Sequence, residues 1–302
     1  MDVFKADHFR SDDAARKFLE GLLWPDGPIC PKCGVINHAY ATKKPGVFRC
    51  AEKGCRKDFT VTMNTVMERS HIALYKWLQA FHLMASSKKG ISAHQLHRTL
   101  DITYEAAWFM AHRIREAMRY GGLAPMGGGG KTVEADETFI GRLEGQPKRR
   151  DGAGHKNTVV TLVERGGSAR SFHTDSNTVA DIAPIVRENI ARETALMTDE
   201  GPWYKEVGRD FASHETVKHS VKEYVRGHVH TNTVEGYYSI FKRGMKGIYQ
   251  HCAEKHLHRY LAEFDFRYSN RVKLGVNDGE RAALAVKNAT GKRLTYRQPR
   301  QA

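Results

Sequence analysis

Three hundred and two residues leave room for two domains, and 40% hydrophobic content is enough to bury a sizeable core, which excludes a disordered chain. Lys and Arg number 48 against 34 Asp and Glu, a formal net charge of +14 with a pI near 9.6, so a polyanionic partner is expected. The charge is not one detachable tail, because 19 bases against 12 acids precede Lys131 and 29 against 22 follow from it onward, leaving each part at +7. The most apolar long stretch, residues 72–86, is interrupted by Lys76, Gln79 and His82 and falls short of the ~20 residues a membrane span needs. The N-terminus lacks the basic start and apolar run of a secretory signal, so a cytoplasmic location with reduced thiols is expected.

In chain order, residues 1–66 hold an N-terminal helix and a cysteine-rich, turn-rich region. Cys30 and Cys33 are two residues apart, Cys50 and Cys55 four apart, and sixteen residues separate the pairs. Two thiolate pairs on two turns are what tetrahedral zinc requires, and the second spacing is wider than the usual two residues. Pro31, Gly34 and Gly54 let the backbone turn beneath each pair, and Val47, Phe48, Phe59 and Val61 supply ribbon strands. A closed four-thiolate site leaves no position for substrate, so this Zn2+ is expected to hold a small fold together. The fifth cysteine, Cys252, reads as a packing residue, and nearby His251, His256 and His258 as packing or phosphate contacts.

Residues 67–120 read as a helical segment. Leu74, Trp77, Leu78, Phe81 and Met84 recur at helical spacing. Ser92 with Gln95 three residues on starts a second helix, and Thr103 after a turn at Asp101-Ile102 caps a third through Ala107, Ala111, Ile114 and Met118. Two helices about a tight turn resemble a helix-turn-helix, whose second helix would present Arg113, Arg115 and Arg119 to DNA; the alternative is a three-helix support with solvated arginines. Residues 121–130, with six glycines in ten, suit a flexible linker.

From residue 131 to 272 the period changes. Residues 132–140, 157–164 and 170–173 read as strands, 178–192 as a helix, 195–198 as a short buried strand, and helices follow from Thr231 and around Leu257 to Tyr268. Residues 273–302 read as a loose basic tail. The alternation implies an α/β fold.

Asp136 lies mid-strand in EADETF, Asp199 ends the strand ALMTD, and Glu235 stands early in the helix NTVEGYYSIFKRG. Phosphodiester chemistry with two magnesium ions needs hard acidic oxygens converging from separate elements, which a central strand, a neighbouring strand end and a covering helix can deliver. Glu235 and Lys242 are two helical turns apart and so share a face. Glu134, Glu137, Glu200, Asp175 and Asp265 are rival carboxylates. Lys148, Arg149 and Arg150 form a basic loop that either holds flanking DNA or is a solvated hairpin tip, and Arg243 and Lys246 extend the basic end of the Lys242 helix.

The runs CPKCG, FRCAEKGCRKDFTVTMNTV, LMASSKKGISAHQL, AWFMAHRIREAM, ADETFIGR, VHTNTVEGYYSIFKRGMKGIYQH and HLHRYLAEFDFRYSNR resemble bacterial insertion-sequence transposases of the ISXO-like group over residues 15–272. The resemblance implies a transposase zinc ribbon joined to a ribonuclease H-like DDE catalytic core. It implies Asp136 and Asp199 as the first two ligands of catalytic Mg2+ or Mn2+, Lys242 as the family lysine, and Glu or Asn as the third ligand. Both Asn232 and Glu235 lie in the motif; Glu235 fits the helix spacing better, and Asn232 stays open. One ion would activate water and later the freed 3′-hydroxyl while the other stabilises the departing oxygen. The implied partners are double-stranded DNA, both the element's terminal repeats and the target, and a second copy of the chain when two ends are synapsed, with association to the nucleoid. The competing readings are a non-catalytic DNA-binding regulator with a degenerate core, and a nuclease or recombinase without strand transfer.

Overall fold

The computed structural model describes residues 3–143, 145–147, 155–221, 223 and 225–295. In chain order the elements are α1 (Asp12–Leu23), β1 (Ala39–Ala41), β2 (Phe48–Cys50), β3 (Asp58–Phe59), α2 (Leu74–Ser86), α3 (Ala93–Leu100), α4 (Tyr104–Met118), β4 (Thr132–Ile140), β5 (Asn157–Glu164) and β6 (Ala169–Thr174). They continue as α5 (Val179–Asn189), β7 (Ala195–Thr198), α6 (Pro202–Val207), β8 (Ser213–Thr216), β9 (Val225–Arg226), β10 (Val229–His230), α7 (Asn232–Gly244), α8 (Leu257–Ser269) and α9 (Asp278–Lys287). The chain falls into two units, one of Met1–Ser87, Ile91–Met118 and Asn277–Ala302, the other of Lys88–Gly90 and Arg119–Val276.

In the first unit β1, β2 and β3 form an antiparallel ribbon with Tyr40 opposite Arg49 and Phe48 opposite Phe59. Its small core is Cys30, Cys50 and Phe59 with Trp24 and Phe48 packed against them. Trp77, Leu78, Phe81 and Met84 of α2 are buried as their spacing predicts. The expected caps form: Ser92 Oγ accepts from the Gln95 amide at 3.1 Å and Thr103 Oγ1 from the Ala106 amide at 3.2 Å, with Asp101 left-handed between the helices.

Residues 277–295, expected as part of a loose tail from residue 273, are instead built into this unit. Asn277 and Glu280 close a capping box at the start of α9, which packs along α2 and carries Ala282, Ala285 and Val286 inward. Arg281 is buried and donates to the Ala85 carbonyl at 3.0 Å, while Ala289 accepts from the Val66 amide. The unit is therefore assembled from both ends of the sequence.

In the second unit the five-stranded sheet runs β6-β5-β4-β7-β8. The β6-β5 and β5-β4 pairs are antiparallel, and β4-β7 and β7-β8 are parallel. This is the mixed α/β, ribonuclease H-like arrangement that the family resemblance implies. Val133, Ala135, Val160 and Leu162 pack on one face with Ile182, Val186 and Tyr204 of α5 and α6. Ile140, Val159 and Val163 pack on the other with Tyr238, Phe241 and Phe264 of α7 and α8. Coverage on both faces explains why β5 reads as an almost unbroken apolar run.

The glycine-rich residues 121–130 hold no helix or strand, yet their second half is tied down. Met126 is buried and bridges Ile190, and the Gly127 and Gly128 amides donate to Glu164 Oε2 and Thr194 Oγ1, each at 2.9 Å. Gly127 has φ of 86°, and a Cβ there would stand 2.2 Å from Thr194 Oγ1, so this position requires glycine.

Candidate active site

The parallel register builds the acidic centre. Ala135 pairs with Thr198, and one step further along both strands Asp136 comes beside Asp199 just where β7 ends. Alternation along β4 sends Glu134 and Asp136 toward α7, and Glu137 toward α6. Where β7 stops, carboxylates from both faces can turn toward Asp199. Ligand oxygens of Asp136, Glu137 and Asp199 lie within 4.8 Å of one another.

Neighbouring groups hold each acid in place. Asp136 Oδ1 accepts from the Glu137 amide at 2.8 Å, and Asp199 Oδ1 from the Gly201 amide at 2.9 Å. Glu137 Oε2 accepts from Trp203 Nε1 at 3.2 Å and from the Tyr204 hydroxyl at 3.1 Å. Burial, then the charges of Glu137 and Asp199, push the Asp136 carboxyl well above its ordinary range. Burial and the Asp199 charge raise Glu137 to about 7. Hard oxygens crowded out of water with their negative charge uncompensated suit a hard divalent cation.

Helix α7 completes the surroundings. Tyr238 donates its hydroxyl to the Asp136 carbonyl at 2.6 Å, fixing the helix on β4. One turn on, Lys242 is half-buried with Nζ 5.8 Å from the Tyr238 ring centroid; burial lowers its pKa while the Asp136 charge opposes that shift. Glu235 lies outside the group of three oxygens but within electrostatic reach of Asp136. Its Oε1 accepts from the Thr231 hydroxyl at 3.0 Å and lies 3.7 Å from His219 Nε2. Asn232 is exposed at the first position of α7. Among the rivals, Glu137 joins the centre, Glu134 is fully buried under the start of α7, Glu200 accepts from Ser220, and Asp265 accepts from the hydroxyls of Ser171 and Tyr237.

The four cysteines also converge. Cys30 Sγ lies 3.7 Å from Cys55 Sγ, and Cys33 Sγ 3.6 Å from Cys50 Sγ. A tetrahedron with metal–sulfur bonds of about 2.3 Å has edges of about 3.8 Å, so the thiols already stand at zinc-site spacing.

The helix-turn-helix arginines require correction. Arg113 and Arg115 are 7% and 2% exposed. Arg113 donates to the Glu68 carbonyl at 2.7 Å and the Leu294 carbonyl at 3.3 Å, and its guanidinium stands 5.8 Å from the Trp77 ring centroid. Helix α4 is the centre of a bundle with α2, α3 and α9, so nearly all its circumference is internal from Ala107 onward. Arg119, Arg243 and Lys246 are exposed; Lys148, Arg149 and Arg150 lie outside the described residues. Cys252 packs against the α7–α8 core, in keeping with its expected role.

Comparison with known proteins gives two family matches and a relative. Residues 127–269 match the ISXO2-like transposase domain and residues 10–58 the transposase zinc-ribbon domain. The chain is 27% identical over 279 residues to a protein of Halobacterium salinarum described as an uncharacterized protein in transposable element ISH50, covering 86% of this chain and 91% of that one. Among the described residues no helix is long and apolar enough to cross a membrane.

Proposed function

We propose, from the match of residues 127–269 to the ISXO2-like transposase domain and of residues 10–58 to the transposase zinc-ribbon domain, that the chain is a transposase of that family, which binds the terminal repeats of an insertion sequence and catalyses metal-dependent DNA cleavage and strand transfer. The observation that carries this reading is the register-built juxtaposition of Asp136 and Asp199, with Glu137 beside them, in the middle of the sheet where β7 ends, beside a helix bearing Glu235 and Lys242.

Asp136, Asp199 and Glu235 hold Mg2+ or Mn2+, with Asn232 the alternative to Glu235. The bound cations supply charge neutralisation at the attacked phosphate and ease deprotonation of the attacking oxygen. Lys242, held against Tyr238, neutralises a phosphate oxygen at the helix face. Trp203 and Tyr204 keep Glu137 turned into the centre, where its protonation state sets how much negative charge the site presents. Zn2+ on Cys30, Cys33, Cys50 and Cys55 holds the ribbon.

With Arg113 and Arg115 internal, DNA recognition by the first unit falls to the ribbon. Residues 30–60 carry seven bases against two acids, and Lys32, Lys43, Lys44, Arg49, Lys53, Arg56 and Lys57 are all exposed, with Tyr40 beside Arg49 across the hairpin. Arg119, Arg243 and Lys246 are further phosphate contacts, and two copies assemble to synapse two ends.

The test is a cleavage and joining assay on duplexes bearing the element's own ends, with wild type beside Asp136→Ala and Asp199→Ala. Both variants are expected to bind DNA and to lose Mg2+-dependent cleavage. Unchanged cleavage in either overturns the assignment.

A further inference from the structure

Glu134 is fully buried on β4, two residues before Asp136 and on the same face, at a rise of about 3.3 Å per residue. Its Oε2 accepts from the Thr233 amide at 2.7 Å and the Val234 amide at 3.0 Å. Its Oε1 accepts from the Thr233 hydroxyl at 2.8 Å and Arg165 Nε at 2.6 Å, and lies 3.2 Å from His230 Nδ1. Both oxygens are thus consumed inside the protein, which removes Glu134 as a metal ligand.

The donors place Glu134 at the N-terminus of α7, where unpaired amides and the positive end of the helix dipole favour a carboxylate. The local cap residue does not do this, because Thr231 gives no side-chain cap and turns its hydroxyl to Glu235 Oε1 instead. Arg165 neutralises Glu134 and also donates to the His228 and His230 carbonyls, each at 2.8 Å, holding the strand that leads into α7. A single carboxylate therefore joins β4, two residues from Asp136, to α7, one residue from Glu235.

We propose that Glu134, with Arg165 as its counter-charge, is a positioning residue that sets the stance of Glu235 relative to Asp136. This rests on the reading of Glu235 as the third ligand. α7 is not hydrogen-bonded into the sheet ladder, so its first turn needs such a tie to keep that stance fixed.

Glu134→Gln, Glu235→Gln and the double variant test it in the full-length, zinc-loaded protein. The amide nitrogen introduced by Glu134→Gln must face a donor on one side or the other, since Arg165 and the α7 amides all donate. Hydrogen exchange at residues 231–236 without Mn2+ is expected to speed up in Glu134→Gln while β4 and β5 stay protected. The Mn2+ midpoint for cleavage is expected to rise about 10–100-fold, as when a group orienting a ligand is lost. Glu235→Gln should raise it similarly, and the double variant no further. Wild-type exchange and midpoint in Glu134→Gln, or effects that multiply in the double variant, overturn the proposal. If Glu235→Gln leaves the midpoint unchanged, the third-ligand reading fails, and exchange at 231–236 still decides whether Glu134 holds the helix. Should Glu134→Gln fold poorly, Thr233→Val removes only the hydroxyl donor and should move both readouts in the same direction by less; no movement there overturns it.

Discussion

Replacing Glu137 by Gln isolates the electrostatic strain of the acidic centre, because the amide oxygen still accepts from Trp203 and Tyr204 while the charge is gone. Burial and the Asp199 charge raise the Glu137 carboxyl from an ordinary 4.5 to about 7. At about 1.4 kcal/mol per unit, ionising it in the folded protein costs about 3 kcal/mol, or about 2–3 kcal/mol allowing for partial solvent access. The folded state holds the proton more tightly than the unfolded one. Metal-free stability therefore falls as pH rises from about 4.5, and the full penalty is present above about 7. Denaturation of both proteins between pH 5 and 8, with zinc retained and other divalent ions removed, should show the wild type losing about 2–3 kcal/mol relative to the variant. For a unit of this size that is a relative Tm change of about 5–10 °C. Mg2+ at a hundred times its Kd returns about 2.7 kcal/mol, and should stabilise the wild type more at pH 8 than at pH 5. A wild-type-minus-variant difference that stays flat across this range refutes the argument that Glu137 is strained in the centre.

The first unit supplies four more expectations. Elemental analysis should find one equivalent of zinc in the wild type and none in Cys30→Ser/Cys33→Ser, and full retention in the variant would contradict the four-thiolate site. Arg113→Ala should lower stability by about 2–4 kcal/mol by stranding buried carbonyls and removing packing against Trp77, without changing the salt dependence of DNA binding. Replacing Lys43, Lys44 and Arg49 by Ala should instead flatten that dependence by about 0.9 per lost phosphate contact; the opposite pattern would restore α4 as the DNA-reading helix. Ending the chain at Val276 removes α9 and should unprotect α2 and α4 in hydrogen exchange while the five-stranded sheet stays protected, and unchanged protection of α2 would show that α9 is dispensable.

What the sequence discloses depends on whether the deciding contact is local. Residues 132–140, 157–164 and 195–198 match β4, β5 and β7 because long apolar runs between turn signals leave little choice, and the parallel pairing then follows from the helix intervening before β7. β8, β9 and β10 escape notice because strands of two to four partly exposed residues carry no periodicity. Arg113 and Arg115 mislead for a different reason. A helical stripe identifies the face packed on one neighbour, whereas Arg113 is held by the carbonyls of Glu68 and Leu294, 45 and 181 residues away, which the stripe cannot show. The capping box at Asn277 and Glu280 was the available local signal that the supposed tail begins with a helix. At the acidic centre the same division holds. Asp136 stands out as a charge inside an apolar strand, whereas Glu137, its neighbour on the opposite face, reads as solvated until Trp203 and Tyr204 are seen to reach it from α6, the helix after Asp199. Glu134 is the most non-local of the three, since its partners are amides 99 and 100 residues away. A strand pattern can mark it as buried, but only the folded chain shows that its charge serves a helix end.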